Sequence, residues 1–185
     1  MAKLANRITA LRMILAPFVV AAILSGRNVW ALWLFVAAAL TDYLDGVVAR
    51  QFGEVTKAGA YFDPIADKFL MACTLLALVG ASGMPWWFAV VVVGNGVYIL
   101  ACAGVLIVRK RQDKFPPSMW GKTSMFAQFI AVAAWIAHGT LRFQAFHSTT
   151  LVMGMLWIAA VLTAWSAIHY TYQWCNVDFQ RRLLA

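Results

Sequence analysis

Charge is scarce in this chain, and negative charge is scarcest: seven Asp and Glu stand against fifteen Lys and Arg, and charged residues make up 12% of 185. An ordinary soluble domain carries about twice that share. Together with a hydrophobic fraction of 63%, the deficit excludes a typical soluble fold and indicates an integral membrane protein. Cysteine is nearly absent as well. Cys73, Cys102 and Cys175 are odd in number and scattered, which excludes a disulfide framework or a zinc site and predicts small buried side chains. His138, His147 and His169 are expected at or beyond the far half of the bundle, as interfacial polar groups rather than ligands.

What the chain does have is long apolar runs, several of them near the ~20 residues that a helix needs to cross the hydrocarbon layer. Spans are predicted at Ile8–Leu24, Val29–Val48, Ile65–Ala81, Trp86–Val108, Met125–Ala137 and Thr149–Tyr170. The expected fold class is therefore all-α, with six transmembrane helices, a cytoplasm-facing polar cavity and a single domain over residues 1–185. The first span follows Lys3 and Arg7 as a signal peptide would, but no small-residue cleavage site follows it and Arg12 interrupts its start, so it is read as retained. Trp30, Trp33, Trp86, Trp87 and Trp174 near span ends fit an interfacial aromatic belt better than a base-stacking platform.

Topology follows from the basic residues. Lys3, Arg7 and Arg12 open span one; Arg50, Lys57 and Lys68 surround the connection after span two; Arg109, Lys110, Arg111, Lys114 and Lys122 follow span four; Arg181 and Arg182 follow span six. Arg27 and Arg142 fall on the other side, so both termini and the connection after span two are expected to be cytoplasmic. Juxtamembrane placement accounts for the net charge of +8 through topology and contact with anionic membrane lipids, without nucleic acid as a partner.

Four of the seven carboxylates fall in one stretch: Asp42-x-x-Asp45-Gly46-x-x-Ala49-Arg50, eight residues, then Gly59-x-x-x-Asp63-x-x-x-Asp67. If span two continues as a helix past Arg50, positions 42, 45, 46 and 49 share an arc of about 100°. Gly46 and Ala49 would then leave a trough beside Asp42 and Asp45 where a ligand approaches the backbone. Asp63 and Asp67, at i and i+4, are placed at the opening of span three, with Pro64 in its first turn and Gly53 and Gly59 in the connecting loop. A lone Asp in such a setting can simply pair with Arg50, Lys57 or Lys68; four at these offsets point to chemistry. Oxygen ligands without His or Cys suit a hard cation, magnesium, manganese or calcium, and four carboxylates suffice for a two-metal phosphoryl site. Arg50 and Thr56 add a fixed charge and a hydroxyl suited to a diphosphate.

This motif resembles, at every specified position, the signature of the CDP-alcohol phosphatidyltransferases. Asn6-x-x-Thr9-x-x-Arg12, Asp63-Pro64-x-Ala66-Asp67-Lys68 and Gly121-Lys122-Thr123 with Gln128 are similar to segments of the phosphatidylglycerophosphate and cardiolipin synthases of that family. The resemblance implies two divalent ions, Mg2+ or Mn2+, bound by Asp42, Asp45 and Asp63, with Asp67 contributing to the metal site and acting as general base. It implies that Gly46, Ala49, Arg50, Thr56 and Gly59 help form the cytidine diphosphate pocket, and that CDP-diacylglycerol donates a phosphatidyl group to a polyol with release of CMP. It also implies a homodimer in a bacterial inner membrane, its active site facing the cytoplasm.

For the acceptor, Arg109, Arg111 and Lys122 are candidate phosphate ligands or else topology determinants, and Lys68 is a candidate ligand or a salt bridge within the cluster. Gly94-Asn95-Gly96 stands where those synthases usually show an Arg followed by an acidic residue. That departure leaves two acceptors open, glycerol 3-phosphate, which is favoured, and phosphatidylglycerol. Outside the family, a divalent-cation transporter would need polar groups along its whole path, whereas spans four and six contain almost none.

Overall fold

In the computed structural model, which describes residues 2–52, 57–108, 119–139 and 149–182, all regular structure is helical. The helices are α1 (Ala2–Leu24), α2 (Asn28–Phe52), α3 (Lys57–Ser82), α4 (Trp86–Val108), α5 (Met119–His138) and α6 (Thr149–Arg182). Ile65–Ser82 and Thr149–Tyr172, with mean hydropathy 1.6 and 2.0, are long and apolar enough to cross a membrane by length and composition. Shorter apolar stretches are Arg12–Leu24, Asn28–Thr41 and Trp86–Cys102.

Two tight turns set the connections at one end of the bundle. After α1, Gly26 takes φ 68°, while its N–H donates to the Ile23 carbonyl at 3.0 Å and that of Arg27 donates to the Ala22 carbonyl at 2.9 Å. This pair of bonds is the Schellman closure, which needs a residue without a Cβ penalty at the left-handed position. After α3, Gly83 takes the left-handed position at φ 66° and the Met84 N–H donates to the Leu78 carbonyl at 3.3 Å, while Pro85 precedes α4, which it could not continue from within.

Among the described residues, α1 packs on α2 and α3, α3 on α4, α4 on α6, α6 on α5 and α5 on α2. The helices thus close a ring in the order α1, α3, α4, α6, α5, α2. Phe35, Leu70, Leu75, Leu78, Phe88 and Leu156 are its largest fully buried apolar side chains, and the Phe35 and Phe129 rings, 5.4 Å apart, join α2 to α5. The outer surface is apolar too: Phe18, Trp33, Leu76, Val90, Phe126 and Ile158, one from each helix, are all more than half exposed.

Polar contacts fix which ends meet. Trp135 Nε1 donates to Ser82 Oγ at 3.1 Å, and a Cβ on Gly139 would lie 3.3 Å from Asn28 Nδ2, so the ends of α3 and α5 and the start of α2 share one end. At the other, the Tyr170 hydroxyl lies so close to Gly121 that a Cβ there would meet it at 2.7 Å, and the Tyr98 and Thr171 hydroxyls are 2.7 Å apart.

Several boundaries differ from expectation. All helices but α4 outrun the predicted spans Ile8–Leu24, Val29–Val48, Ile65–Ala81, Met125–Ala137 and Thr149–Tyr170 because backbone hydrogen bonding continues through polar turns that hydropathy discounts. Cys73 and Cys102 are free but only partly buried, not enclosed as predicted. His169 also departs from its expected place: it precedes Tyr170, at the end of the bundle where Gly121 opens α5, and not in the far half.

Candidate functional site

The acidic motif lies on two helices that approach the same end of the bundle. Asp42, Asp45, Gly46, Ala49 and Arg50 occupy the last turns of α2, and Gly59, Asp63 and Asp67 occupy the first three turns of α3. Since α3 begins at Lys57, Gly59 is helical and not part of a loop, and Pro64 lies beyond the first turn. Asp63 and Asp67 therefore sit too deep for the helix dipole to favour them as expected, because that effect fades within a turn.

Register sets the positions of both groups in line with buried stripes. On α2 the buried stripe Ala31, Phe35, Ala38 continues at alternating steps of four and three through positions 42, 45 and 49. On α3 the buried residues Ala66, Asp67, Leu70, Met71, Thr74, Leu75 and Leu78 define one face, and Asp63 is one turn ahead of Asp67 on it. The side-chain surroundings of Asp42, Asp45, Gly46, Ala49, Arg50, Gly59 and Asp63 lie outside the described part of the structure, as do Thr56, Arg109 and Arg111 altogether.

Asp67 is described in full. It is 5% exposed, and its Oδ2 lies 3.6 Å from the Lys68 ammonium. Burying a carboxylate costs several kcal/mol unless cationic partners offset it, so this position needs positive charge. An enclosed carboxylate oxygen fits a hard divalent ion better than a thiophilic one. Lys68 is itself half-enclosed: its stem crosses α4 at Gly96, where a Cβ would come within 3.1 Å of Lys68 Cδ. Lys122 is exposed in the first turn of α5, at the same end.

One charged residue was not among the predicted site residues. Arg12 is 2% exposed, on the α1 stripe that includes Ala16, Val19 and Ile23, and the helices packed on α1 are α2 and α3, the two that carry the acids. A guanidinium so buried requires anionic or hydrogen-bonding neighbours. Its position one turn after Thr9, inside an apolar run, was the available signal.

Deeper along the bundle, Gln128 Nε2 donates to Thr163 Oγ1 at 2.7 Å, and Thr163 donates to the Ala159 carbonyl at 2.7 Å. With Ser166, also fully buried, these residues give α6 more interior polarity than its sequence suggested. A shallow recess lined by Gly26, Arg27, Asn28, Val29, Trp30 and Gly139 lies at the opposite end from the acids.

The sequence profile described as CDP-alcohol phosphatidyltransferase matches residues 2–165. A probable phosphatidylglycerophosphate synthase of Mycobacterium tuberculosis (strain H37Rv) is 32% identical over 193 residues, covering 99% of this chain and 82% of its own. Enzymes named CDP-diacylglycerol–glycerol-3-phosphate 3-phosphatidyltransferase show similar likeness. That of Haemophilus influenzae is 31% identical over 169 residues, 88% of each chain. That of Bacillus subtilis is 32% identical over 139 residues, 74% of this chain and 69% of its own.

Proposed function

The chain belongs to the CDP-alcohol phosphatidyltransferase family, and from that membership we propose that it transfers the phosphatidyl group of CDP-diacylglycerol to glycerol 3-phosphate, forming phosphatidylglycerophosphate and CMP. The observation that carries the reading is Asp67, buried on α3 beside Lys68 at the end of the ring where α2 closes and α3 begins, the two helices whose sequences carry the acidic motif. The choice of acceptor is supported by the names of the similar enzymes.

In this reading Asp42, Asp45, Asp63 and Asp67 hold divalent metal, Mg2+ or Mn2+ as two ions, consistent with a family that is generally metal-dependent. Bound there, the metal supplies charge neutralisation at the diphosphate. Gly46 and Ala49 clear room for the nucleotide, and Arg50, Thr56 and Gly59 complete its pocket. Asp67 takes the proton of the acceptor hydroxyl; that oxygen forms the new bond to the phosphatidyl phosphorus, and the bond to CMP breaks with its electron pair leaving on the nucleotide. Lys68, Arg109, Arg111 and Lys122 bind the acceptor phosphate as charge-assisted donors.

The family is membrane-bound. The one chain forms one domain of six spanning helices, with the motif end in the cytoplasm of a bacterial inner membrane and a second copy as partner. The apolar exterior on every helix supports this, since a soluble monomer rarely exposes apolar patches beyond a few hundred Å², and the distribution of basic residues along the sequence supports the orientation.

Release of CMP from CDP-diacylglycerol by the purified enzyme, measured with glycerol 3-phosphate and with phosphatidylglycerol, tests the assignment. Release with the first and not the second is expected. Release only with phosphatidylglycerol reassigns the acceptor, and release with neither refutes the reading.

A further inference from the structure

Asn95 interrupts the most apolar helix of the bundle. On α4 the residues Phe88, Ala89, Val92 and Gly96 are buried, whereas Val90, Gly94 and Val97 are exposed. Gly96 faces α3, where the Lys68 stem lies against it. Tyr98 faces α6, where its hydroxyl meets that of Thr171 at 2.7 Å. At about 100° per residue, position 95 falls between those two directions on the side away from the exposed residues, toward the inside of the helix ring. Two contacts thus hold α4 in rotation, and what they turn inward is a carboxamide.

The Asn95 Oδ1 is buried and accepts no hydrogen bond among the described residues. An amide oxygen left so is a standing cost, because its hydration has been removed and nothing replaces it. A hydrophobic residue of similar size would fit the surrounding helix better. The level of this oxygen in the bundle is that of Lys68, which touches the neighbouring residue Gly96 and lies 3.6 Å from Asp67. A small molecule whose anionic group is held by the Lys68 ammonium and whose reacting hydroxyl faces Asp67 has its remaining hydroxyl left to satisfy. The missing donor and the surplus hydroxyl have matching chemistry.

We propose that Asn95 is a specificity-determining residue whose carboxamide oxygen accepts a hydrogen bond from the non-reacting hydroxyl of a phosphorylated polyol acceptor held beside Lys68. The inference rests on the phosphatidyl-transfer reading above and adds to it the group that reads the acceptor's carbon skeleton. Gly96 acts as a positioning residue in the same device, since it lets the Lys68 stem cross α4 within 3.1 Å of where a Cβ would stand.

The test compares glycerol 3-phosphate with 3-hydroxypropyl phosphate, which keeps the phosphate and a primary hydroxyl but lacks the middle one. Wild-type enzyme and Asn95→Leu are assayed for CMP release from CDP-diacylglycerol, and their thermal unfolding in detergent is recorded. The wild type is expected to favour glycerol 3-phosphate in kcat/KM by about tenfold, the order set by one buried hydrogen bond. Asn95→Leu should use both acceptors alike, at the wild-type KM for CDP-diacylglycerol and with an unfolding temperature no lower than wild type. Asn95→Ala, should the larger side chain fit poorly, is expected to lose the preference in the same way. A wild type that does not discriminate, or a variant that keeps the preference, overturns the inference while leaving phosphatidyl transfer intact. A wild type that releases no CMP with either acceptor overturns the reaction and the inference together.

Discussion

Replacing Asp67 by Asn separates catalysis from folding. The two side chains have the same shape, so no cavity opens at this buried site, and the change removes one charge and the ability to take a proton. The structural loss includes the contact with Lys68 at 3.6 Å. At an effective dielectric of about 20, that attraction is about 4–5 kcal/mol, most of it offset by the desolvation of both ions. A net change of about 1 kcal/mol would move the unfolding temperature of a chain of this size by about 2–4 °C. Loss of a general base costs about 100- to 10,000-fold in rate, equivalent to about 3–5 kcal/mol of barrier. The expected outcome is a folded protein whose kcat for CMP release falls at least a hundredfold, while metal-dependent binding of the CDP-lipid is largely retained. A kcat within about threefold of wild type, in a variant shown to be folded, would refute the assignment of Asp67 as the base.

Other perturbations reach different parts of the account. Asp42→Asn and Asp45→Asn should weaken metal and CDP-lipid affinity together in a titration; retained metal-dependent affinity would remove them from the metal set. Chelation should abolish CMP release, with activity restored by Mg2+ or Mn2+ and not by Zn2+, as the all-oxygen ligand set requires. Gly121→Leu should lower the unfolding temperature, because a Cβ alone would stand 2.7 Å from the Tyr170 hydroxyl and overpacking of this kind costs about 1–3 kcal/mol; Tyr170→Ala in the same chain should recover part of the loss. Phe35→Ala, at a residue 1% exposed, should cost about 3–5 kcal/mol in denaturation without altering acceptor preference.

Much of this was legible before any coordinates. Long apolar runs located the six helices, and the fixed spacing of Asp42, Asp45, Asp63 and Asp67 pointed to the family that the sequence profile matches, because both depend on local pattern. The ends of every helix but α4 were not, since polar turns such as Lys57–Gly59 carry no hydropathy signal yet continue the backbone ladder. Nor was the order of helices around the ring. That depends on contacts between distant positions, such as Gly121 with Tyr170 and Gly96 with Lys68, whose individual residues look unremarkable in the chain. The burial of Arg12 and the inward turn of Asn95 belong to the same class: each is a polar residue in an apolar run whose meaning depends on which neighbour it faces.

The central claim is that an acceptor alcohol attacks the phosphatidyl phosphorus of CDP-diacylglycerol at the Asp67 end of the bundle. Glycerol 3-phosphate carrying 18O in its primary hydroxyl, followed by mass spectrometry of both products, tests it most directly. The account predicts that the label is retained in the bridging phosphodiester of phosphatidylglycerophosphate and that CMP is unlabelled. Label in CMP, or no labelled lipid at all, would contradict it.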